Sequence, residues 1–456
     1  MTDVLIVGAG SAGSVLAAQL SSDPDCRVTV IEAGPGLGDP AIRLLIGDAT
    51  VLPIEPGSPV VRRYRTELTD DPTQDTEVVR GTCLGGSGAV NGGYFCRALP
   101  TDFDDPIPGW SWAQVEAHYR AIETDLDLPD FSGTGPIPVS RIREFGSSTA
   151  AFITAAQQAG YRWLPDLNAA GTGVGAVPLN ILDGLRVGPG AAFLAPVLGR
   201  SNLTVLTDTR VTRVRTSGAT VTGVDAVGAR GPVALDADRV VLSAGAIASA
   251  HLLMLSGIGP ADDLAAQGIG VVADLPVGGR CWDHPEWVMP TRWTATSGRP
   301  VLEAVLVTDD LEIRPYTSGF GVRPEPSIGV ALMRPRSHGR VSLVSSDSAV
   351  PPRIEHRYDS EPADFAALQR GCDLVIEMMG STTELGEQAW STSQHLCGTA
   401  PMGTAGDEHV VVDPQCRVFG VPGLWVVDGS VLPRIPSRGP HATIAMIGHR
   451  AAEFVR

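Results

Sequence analysis

The chain opens on a short apolar run, residues 4–7, followed by glycines at 8, 10 and 13, a small-residue stretch ending at Leu20, and a second β-branched run at 28–31. Apolar runs of this length bounded by turn residues predict buried strands, and the alanine- and leucine-rich stretch between them predicts a helix. "DVLIVGAGSAGSVLAAQLSSDPDCRVTVIEAG" therefore reads as strand, tight turn, helix and strand, one βαβ unit. From 34 to 108 proline and glycine recur too often for either periodicity, which predicts loop. Residues 112–128, "WAQVEAHYRAIETDLDL", read as helix, a Pro/Gly zone follows as far as Pro138, and 148–160 reads as helix again. Residues 202–245 alternate apolar and polar positions with turns at regular spacing, the pattern of a β-meander. Its last strand leads into "RVVLSAGAIASAHLLMLSGIG", again strand, small-residue turn and helix. Strand-like alternation resumes over 286–357, and 361–379 predicts a further helix. No internal repeat or long linker is evident. The pattern predicts an α/β chain, α+β overall, whose two lobes are interleaved rather than consecutive.

Composition narrows this picture. A chain of 456 residues, 43% hydrophobic, can bury a large core and exceeds the usual size of one compact unit, so two domains are expected. With 34 basic and 51 acidic residues the formal net charge is -17, which argues against nucleic acid and anionic lipid surfaces as partners. Every basic residue is Arg, a bias typical of high-GC bacterial coding and of no physical consequence for the fold. The seven cysteines are scattered, without CxxC or pairing with His at metal-ligand spacing, and read as reduced, mostly buried thiols; no metal is expected. The first apolar stretch is broken by glycine too early for a signal peptide or a membrane span, which places the expected location in the cytoplasm.

Gly8, Gly10 and Gly13 form GxGxxG between the first strand and the first helix. The first glycine permits the tight turn, the second lets backbone N–H groups approach a pyrophosphate, and the third lets the helix pack against the sheet. Glu32 ends the second strand, where a carboxylate accepts hydrogen bonds from a ribose hydroxyl and repels a 2′-phosphate. NAD and FAD share this fingerprint. A second stretch, "GTCLGGSGAVNGGYFCRALPTDFD" at 81–104, is too glycine-rich for helix or strand and contains Asn91 amid backbone able to approach a flat ligand. It reads equally as a loop lying along an isoalloxazine ring or as an ordinary surface loop.

These segments, with "SAGAIASAHLLMLSGIGP", "VGGRCWDHP", "HGRVSLVSSD", "HLCGTAPMG" and "LWVVDGSVLPRIPSRGPHATIAMIGHRAAEF", occur in an order that resembles the glucose-methanol-choline (GMC) family of FAD-dependent oxidoreductases over nearly the whole chain. The compact length, the "GTCLGGSGAVNGGYFCR" variant and the "PRIPSRGPHAT" tail are most similar to the branch associated with the peptide-derived redox cofactor mycofactocin. The resemblance implies a Rossmann-like FAD-binding domain from 1–130, 186–285 and 395–456, interleaved with a β-sheet substrate-binding or cap domain from 131–185 and 286–394. It implies that Gly8, Gly10, Ser11, Ala12 and Gly13 cradle the FAD pyrophosphate and that Glu32, with Ala33, holds the adenosine ribose. Thr82 and the run from Gly85 and Gly86 through Asn91, Gly92, Gly93 and Tyr94 would pass the flavin. Val211 would meet the adenine through its main chain, Asp428 and Gly429 would form the turn of the family's "VxDGS" segment, and Ala442 and Thr443 would cover the pyrimidine side with His441. Departures are visible: Thr82 stands where the family usually has a basic residue, Gly88 where a Ser is common, Ala250 where Pro is common, and Cys281-Trp282 within a segment that usually reads "NLQDH". Val90 occupies the position from which a His attaches FAD covalently in some members, so non-covalent FAD is expected.

Alcohol oxidation removes the hydroxyl proton while a hydride moves to flavin N5, and an imidazole near the substrate oxygen suits the proton transfer. The resemblance implies that His395, in "HLCGT", is the general base and that His441 flanks the same oxygen, stabilising developing charge. The other histidines, His118, His251, His338, His356, His409 and His449, read as structural. Asp283 and His284 are left outside the catalytic set. Beside better-known members of the family the segment from Glu361 to His395 is short, so the resemblance implies a reduced cap and an open site. The branch implies oxidation of reduced mycofactocin (mycofactocinol), with electrons passed to an acceptor other than oxygen such as the respiratory chain, and peripheral contact with the inner membrane. A small or aromatic primary alcohol is the alternative substrate, and a hydroxynitrile lyase or a non-enzymatic electron relay are alternatives of other classes.

Overall fold

The computed structural model describes residues 2–104, 107–128, 133–319 and 325–455. β1 (Thr2–Val7) and β2 (Cys26–Ile31) pair in parallel, Val4 opposite Val28, and α1 (Ser11–Leu20) connects them. Arg239–Leu242 pairs with the other side of β1, Leu424–Val426 lies beyond it, and Leu203–Leu206 closes the β2 edge. All five strands are parallel. Parallel strands covered on both faces carry continuous apolar runs, which is why residues 4–7 lack alternation, whereas β2 keeps one more open face with Arg27 and Thr29.

The stretch 34–108 is more ordered than its composition predicts. It contains α2 (Pro40–Gly47) and the antiparallel pair β3 (Val61–Glu67) and β4 (Asp75–Gly81). Charged residues hide this pair from a search for apolar alternation, because cross-strand ion pairs, Arg63–Glu77 at 3.0 Å and Arg65–Asp75 at 2.8 Å, occupy one face while Tyr64 and Val78 fill the other. β3 also pairs with Arg353–Glu355, itself paired with Arg340–Ser342, so this four-stranded sheet joins segments that the sequence partition assigns to different domains.

α3 (Trp112–Ile122) stops short of the expected 128, and Glu123–Asp125 becomes a strand beside Ile137–Val139. Buried ion pairs decide this: Glu123 meets Arg97 at 2.6 Å and Asp125 meets Arg141 at 2.9 Å, and such tertiary contacts outweigh helix propensity. α4 (Ser147–Gln158) follows. Of the expected meander, only Arg210–Ser217, Thr220–Gly228 and Gly231–Asp236 form an antiparallel sheet; its first and last strands belong to the parallel sheet. α5 (Gly245–Leu255) and α6 (Ala261–Ala266) come next.

The second large sheet has six antiparallel strands in the order Ala389–Thr392, Pro285–Pro290, Ser327–Leu332, Leu311–Tyr316, Ala304–Val307, Gly173–Ala176. α7 (Pro362–Met379) and α4 cover one face, where Trp287, Met289, Ile313 and Val330 pack with Phe152, Leu368 and Val375. Alternate residues of the same strands, Glu286, Val288, Arg314 and Tyr316, face a cavity on the other side. α8 (His441–Val455) ends the described chain and crosses α1 so closely that a Cβ on Gly448 would lie 2.5 Å from the Ala12 carbonyl oxygen. The two ends of the chain thus meet beside the first βα turn. No helix among the described residues is long and apolar enough to cross a membrane.

Candidate active site

One cavity of about 480 Å³ runs from the first βα turn to the inner face of the six-stranded sheet. At its nucleotide end Gly10 caps α1 without a side chain, and the first helical turn, through Ser11 and Ala12, lines the cavity with its N-terminal N–H groups uncapped by a side chain. Gly8, at φ +104, passes under the backbone of residue 243: a Cβ there would lie 2.4 Å from the Ser243 oxygen. Glu32 accepts the Ala9 N–H at 2.9 Å and the Gly34 N–H at 3.0 Å, and burial pushes its pKa up to about 7. Both oxygens keep lone pairs for ribose hydroxyls. Ala33, Thr82 and Val211 line the same end.

The loop after β4 folds over this turn. Gly86, at φ +54, sits where a Cβ would come 2.7 Å from the Gly10 Cα, and a Cβ on Gly88 would come 2.6 Å from both Ser11 Oγ and His441 Nε2. His441 Nε2 is buried and has no hydrogen-bond partner among the described residues. An uncapped helix start, a ribose-competent carboxylate, an unpartnered imidazole N–H and a loop whose Gly86 and Gly88 leave no room for a Cβ fit a flat dinucleotide cofactor. Gly86, Asn91, Gly92, Tyr94, Asp428 and Gly429 also reach the cavity wall. Five expected contacts do not. Gly13 packs against the Gly8 carbonyl, Gly85 against Ala89 and Gly190, and Gly93 against Ile181 and Asn180. Ala442 is fully buried, and the Thr443 hydroxyl bonds the Tyr119 hydroxyl at 2.7 Å. These residues shape the backbone around the cavity from behind. Asp428, although on the wall, spends its carboxylate on Ser249 Oγ at 2.6 Å and the N–H groups of Gly245 and Ser430, both at 2.8 Å, tying α5 to the turn after Leu424–Val426.

His395 and His441 line this cavity, and a Cβ on Gly439 would lie 3.4 Å from His395 Nε2. Their surroundings assign opposite tautomers. Asn91 accepts the Gly93 N–H through Oδ1 at 2.9 Å, so its amide Nδ2 donates to His441 Nδ1 at 3.0 Å. His441, whose pKa burial lowers to about 4, is neutral, and its proton sits on Nε2. Phe95 packs edge-on against the ring at 5.0 Å. His284 Nε2 faces the Pro436 carbonyl at 3.0 Å, which can only accept, so His284 carries its proton there. Burial lowers the His284 pKa to about 4, so its Nδ1 is a lone pair, and His395 Nδ1, 2.9 Å away, must donate to it. His395 Nε2 is then an unprotonated acceptor. Burial, followed by the nearby His284, Arg314, Arg80 and His441, holds the His395 pKa well below the usual imidazole range. The pair presents one acceptor and one donor.

Residues outside the sequence-based set hold His395 in place. Asp283 accepts its backbone N–H at 2.8 Å and also accepts from the Tyr358 hydroxyl at 2.9 Å and Thr392 Oγ1 at 2.5 Å. Gln394 adopts φ 64, and its side chain accepts the Val79 N–H at 2.8 Å, fastening the turn before His395 to β4. That strained position explains the polar residue beside His395. From the six-stranded sheet Arg314 donates to Ser393 Oγ at 2.8 Å and to Glu312 at 2.9 Å, and the Tyr316 hydroxyl donates to Glu286 at 2.8 Å. A signal for these residues exists in "LEIRPY", where charges alternate with apolar residues inside a strand.

A parallel sheet with a dinucleotide turn, joined across one cavity to a histidine pair and an antiparallel sheet, places the chain in the class of FAD-dependent oxidoreductases. A family model described as GMC oxidoreductase matches residues 2–286 and a second of the same description matches 335–448; the chain belongs to this family. It is 40% identical, over 99% of its length and 98% of the other's, to the "Uncharacterized GMC-type oxidoreductase in thcA 5'region" of Rhodococcus erythropolis. It is 30% identical to the 5-(hydroxymethyl)furfural oxidase of Methylovorus sp. (strain MP688), over 99% of this chain and 98% of the relative. The solved pyridoxine 4-oxidase from "Mesorbium loti" superposes with a TM-score of 0.89 at 29% identity, covering 99% of both chains. FAD is the cofactor, and the enzyme acts on CH–OH groups of its donors.

Proposed function

We propose that the chain oxidises a primary alcohol, foremost one carried on an aromatic ring, to the aldehyde, with His395 as general base and His441 as hydrogen-bond donor to the reacting oxygen. The observation that carries this reading is the pair of opposite tautomers on one cavity wall. FAD, when bound, would supply the two-electron oxidant for the hydride that leaves the donor's carbon. The donor's hydroxyl proton passes to the lone pair of His395 Nε2 as the C–H bond breaks, and the N–H of His441 Nε2 stabilises negative charge on the oxygen. Because its pKa is depressed, His395 rests in the base form at neutral pH. Gly8, Gly10, Ser11 and Ala12 would bind the pyrophosphate, Glu32 the ribose, and the 81–94 loop the flavin, with the six-stranded sheet forming the donor's wall. Val90 in place of a histidine supports non-covalent attachment.

The aromatic donor draws support from two relatives whose names specify 5-(hydroxymethyl)furfural and pyridoxine. Apolar Val288, Val301 and Leu302 share the cavity wall with the polar Arg314, Ser393 and Tyr316, a lining suited to a ring with polar substituents. Mycofactocinol, with an acceptor other than oxygen, is supported by the resemblance of the 81–97 and 433–443 segments, the compact length and the short 361–395 segment, and by no named relative. Anaerobic mixing of the holoenzyme with benzyl alcohol, 5-(hydroxymethyl)furfural or reduced mycofactocin separates these donors. The aromatic alcohols are expected to bleach the flavin fastest; faster bleaching by reduced mycofactocin would reverse the assignment.

A further inference from the structure

We propose that His284 is a positioning residue that fixes the tautomer of His395, an inference resting on the reading of His395 as the base. His284 has no exposed surface and does not line the cavity, so it acts only through its neighbour. Its two ring nitrogens are fully committed: Nε2 donates to the Pro436 carbonyl at 3.0 Å, and Nδ1 accepts from His395 Nδ1 at 2.9 Å. The rings stand edge to face, 5.1 Å between centroids and 89° between planes, so the acceptor lone pair lies in the His284 plane and the His395 ring is held at one angle. Asp283 adds a second anchor, accepting the backbone N–H groups of both His284 and His395 at 2.8 Å. A carbonyl oxygen thus dictates the proton position on one imidazole, and that imidazole dictates it on the next. The outcome is a lone pair at the only His395 nitrogen that faces the cavity. Without the chain, His395 could place its proton on Nε2 and would then donate to a substrate oxygen instead of accepting from it.

Two substitutions divide the roles of the His284 ring. Asn in place of His284 sets an amide oxygen near the Nδ1 position and keeps an acceptor for His395; Gln reaches the Pro436 carbonyl with its amide N–H but leaves nothing at Nδ1. The measurements are anaerobic flavin reduction by benzyl alcohol in the holoenzyme and the ¹⁵N imidazole shifts of histidine-labelled protein. In the unsubstituted enzyme His395 is expected to be protonated at Nδ1 and His284 at Nε2; a protonated Nε2 on His395 would overturn the inference whatever the variants do. His284→Gln is expected to slow flavin reduction at least about tenfold with FAD still bound, and His284→Asn to stay within about threefold. Equal rates for His284→Gln and the unsubstituted enzyme, or equal losses in both variants, would also overturn it. Normal reduction by His395→Ala would instead remove His395 as the base, and the ¹⁵N shifts would still decide the tautomer.

Discussion

Glu32 shows how one residue carries a binding decision. Its carboxylate is buried at the end of β2 and accepts two backbone N–H groups, from Ala9 and Gly34, that an amide cannot both satisfy. Glu32→Gln turns an NH₂ toward one of those donors and removes the charge that receives a ribose hydroxyl. Loss of a charge-assisted hydrogen bond is worth roughly 1.5–3 kcal/mol, so FAD affinity is expected to fall by about tenfold or more. Titrating apoprotein with FAD and following flavin fluorescence measures this; an unchanged Kd would place the ribose elsewhere. The same scale explains what a motif search sees and misses. Glu32 and the glycines before it are visible because their spacing from β1 is fixed by the βα turn, whereas His284 is three-dimensional information: its partner is His395, 111 residues away.

At the scale of elements, legibility follows burial pattern. β1 and the strand before α5 are buried on both faces and read as continuous apolar runs, β2 alternates buried Cys26, Val28 and Val30 with exposed Arg27 and half-buried Thr29, and α4 and α7 carry the periodicity expected of helices packed on a sheet. β3 and β4 escaped because Arg63, Arg65, Asp75 and Glu77 pair across their outer face. The helical pattern runs past the end of α3 because nothing local reveals that Glu123 and Asp125 are claimed by Arg97 and Arg141. For the site, both histidines occur in segments quoted from the sequence, but Glu286, Arg314 and Tyr316 reach the cavity only because one face of the six-stranded sheet turns inward while α4 and α7 cover the other. Five expected cofactor contacts sit behind the wall for a similar reason, since a motif names a stretch of chain and the fold chooses which side of it meets the ligand.

Across the whole molecule, buried neutral histidines make folding sensitive to acid. His284, His356 and His449 lie off the cavity, and burial lowers each pKa to about 4 from the ordinary 6.5. The unfolded chain therefore takes up protons first as pH falls below 6.5. The stability these groups contribute is complete above that pH and is lost progressively toward 4. Glu32, Glu123 and Asp428 run the other way, burial raising each pKa, that of Glu32 to about 7, but burial lowers the pKa of seven imidazoles among the described residues, His284, His356 and His449 with His118, His251, His395 and His441. The thermal midpoint is expected to drop between pH 6.5 and 5, before ordinary carboxylates protonate, and calorimetry of the holoenzyme checks it; a flat midpoint over that interval would show that these imidazoles are already charged in the fold.

The convergence of both chain ends on one cavity has a chemical purpose only if the imidazole brought in from residue 395 accepts the donor's proton. Stopped-flow anaerobic reduction of the His395→Ala holoenzyme by benzyl alcohol tests this most directly. The flavin is expected to remain bound with reduction slowed by at least about a hundredfold, the loss typical of a missing general base. Reduction at the unsubstituted rate would contradict the account.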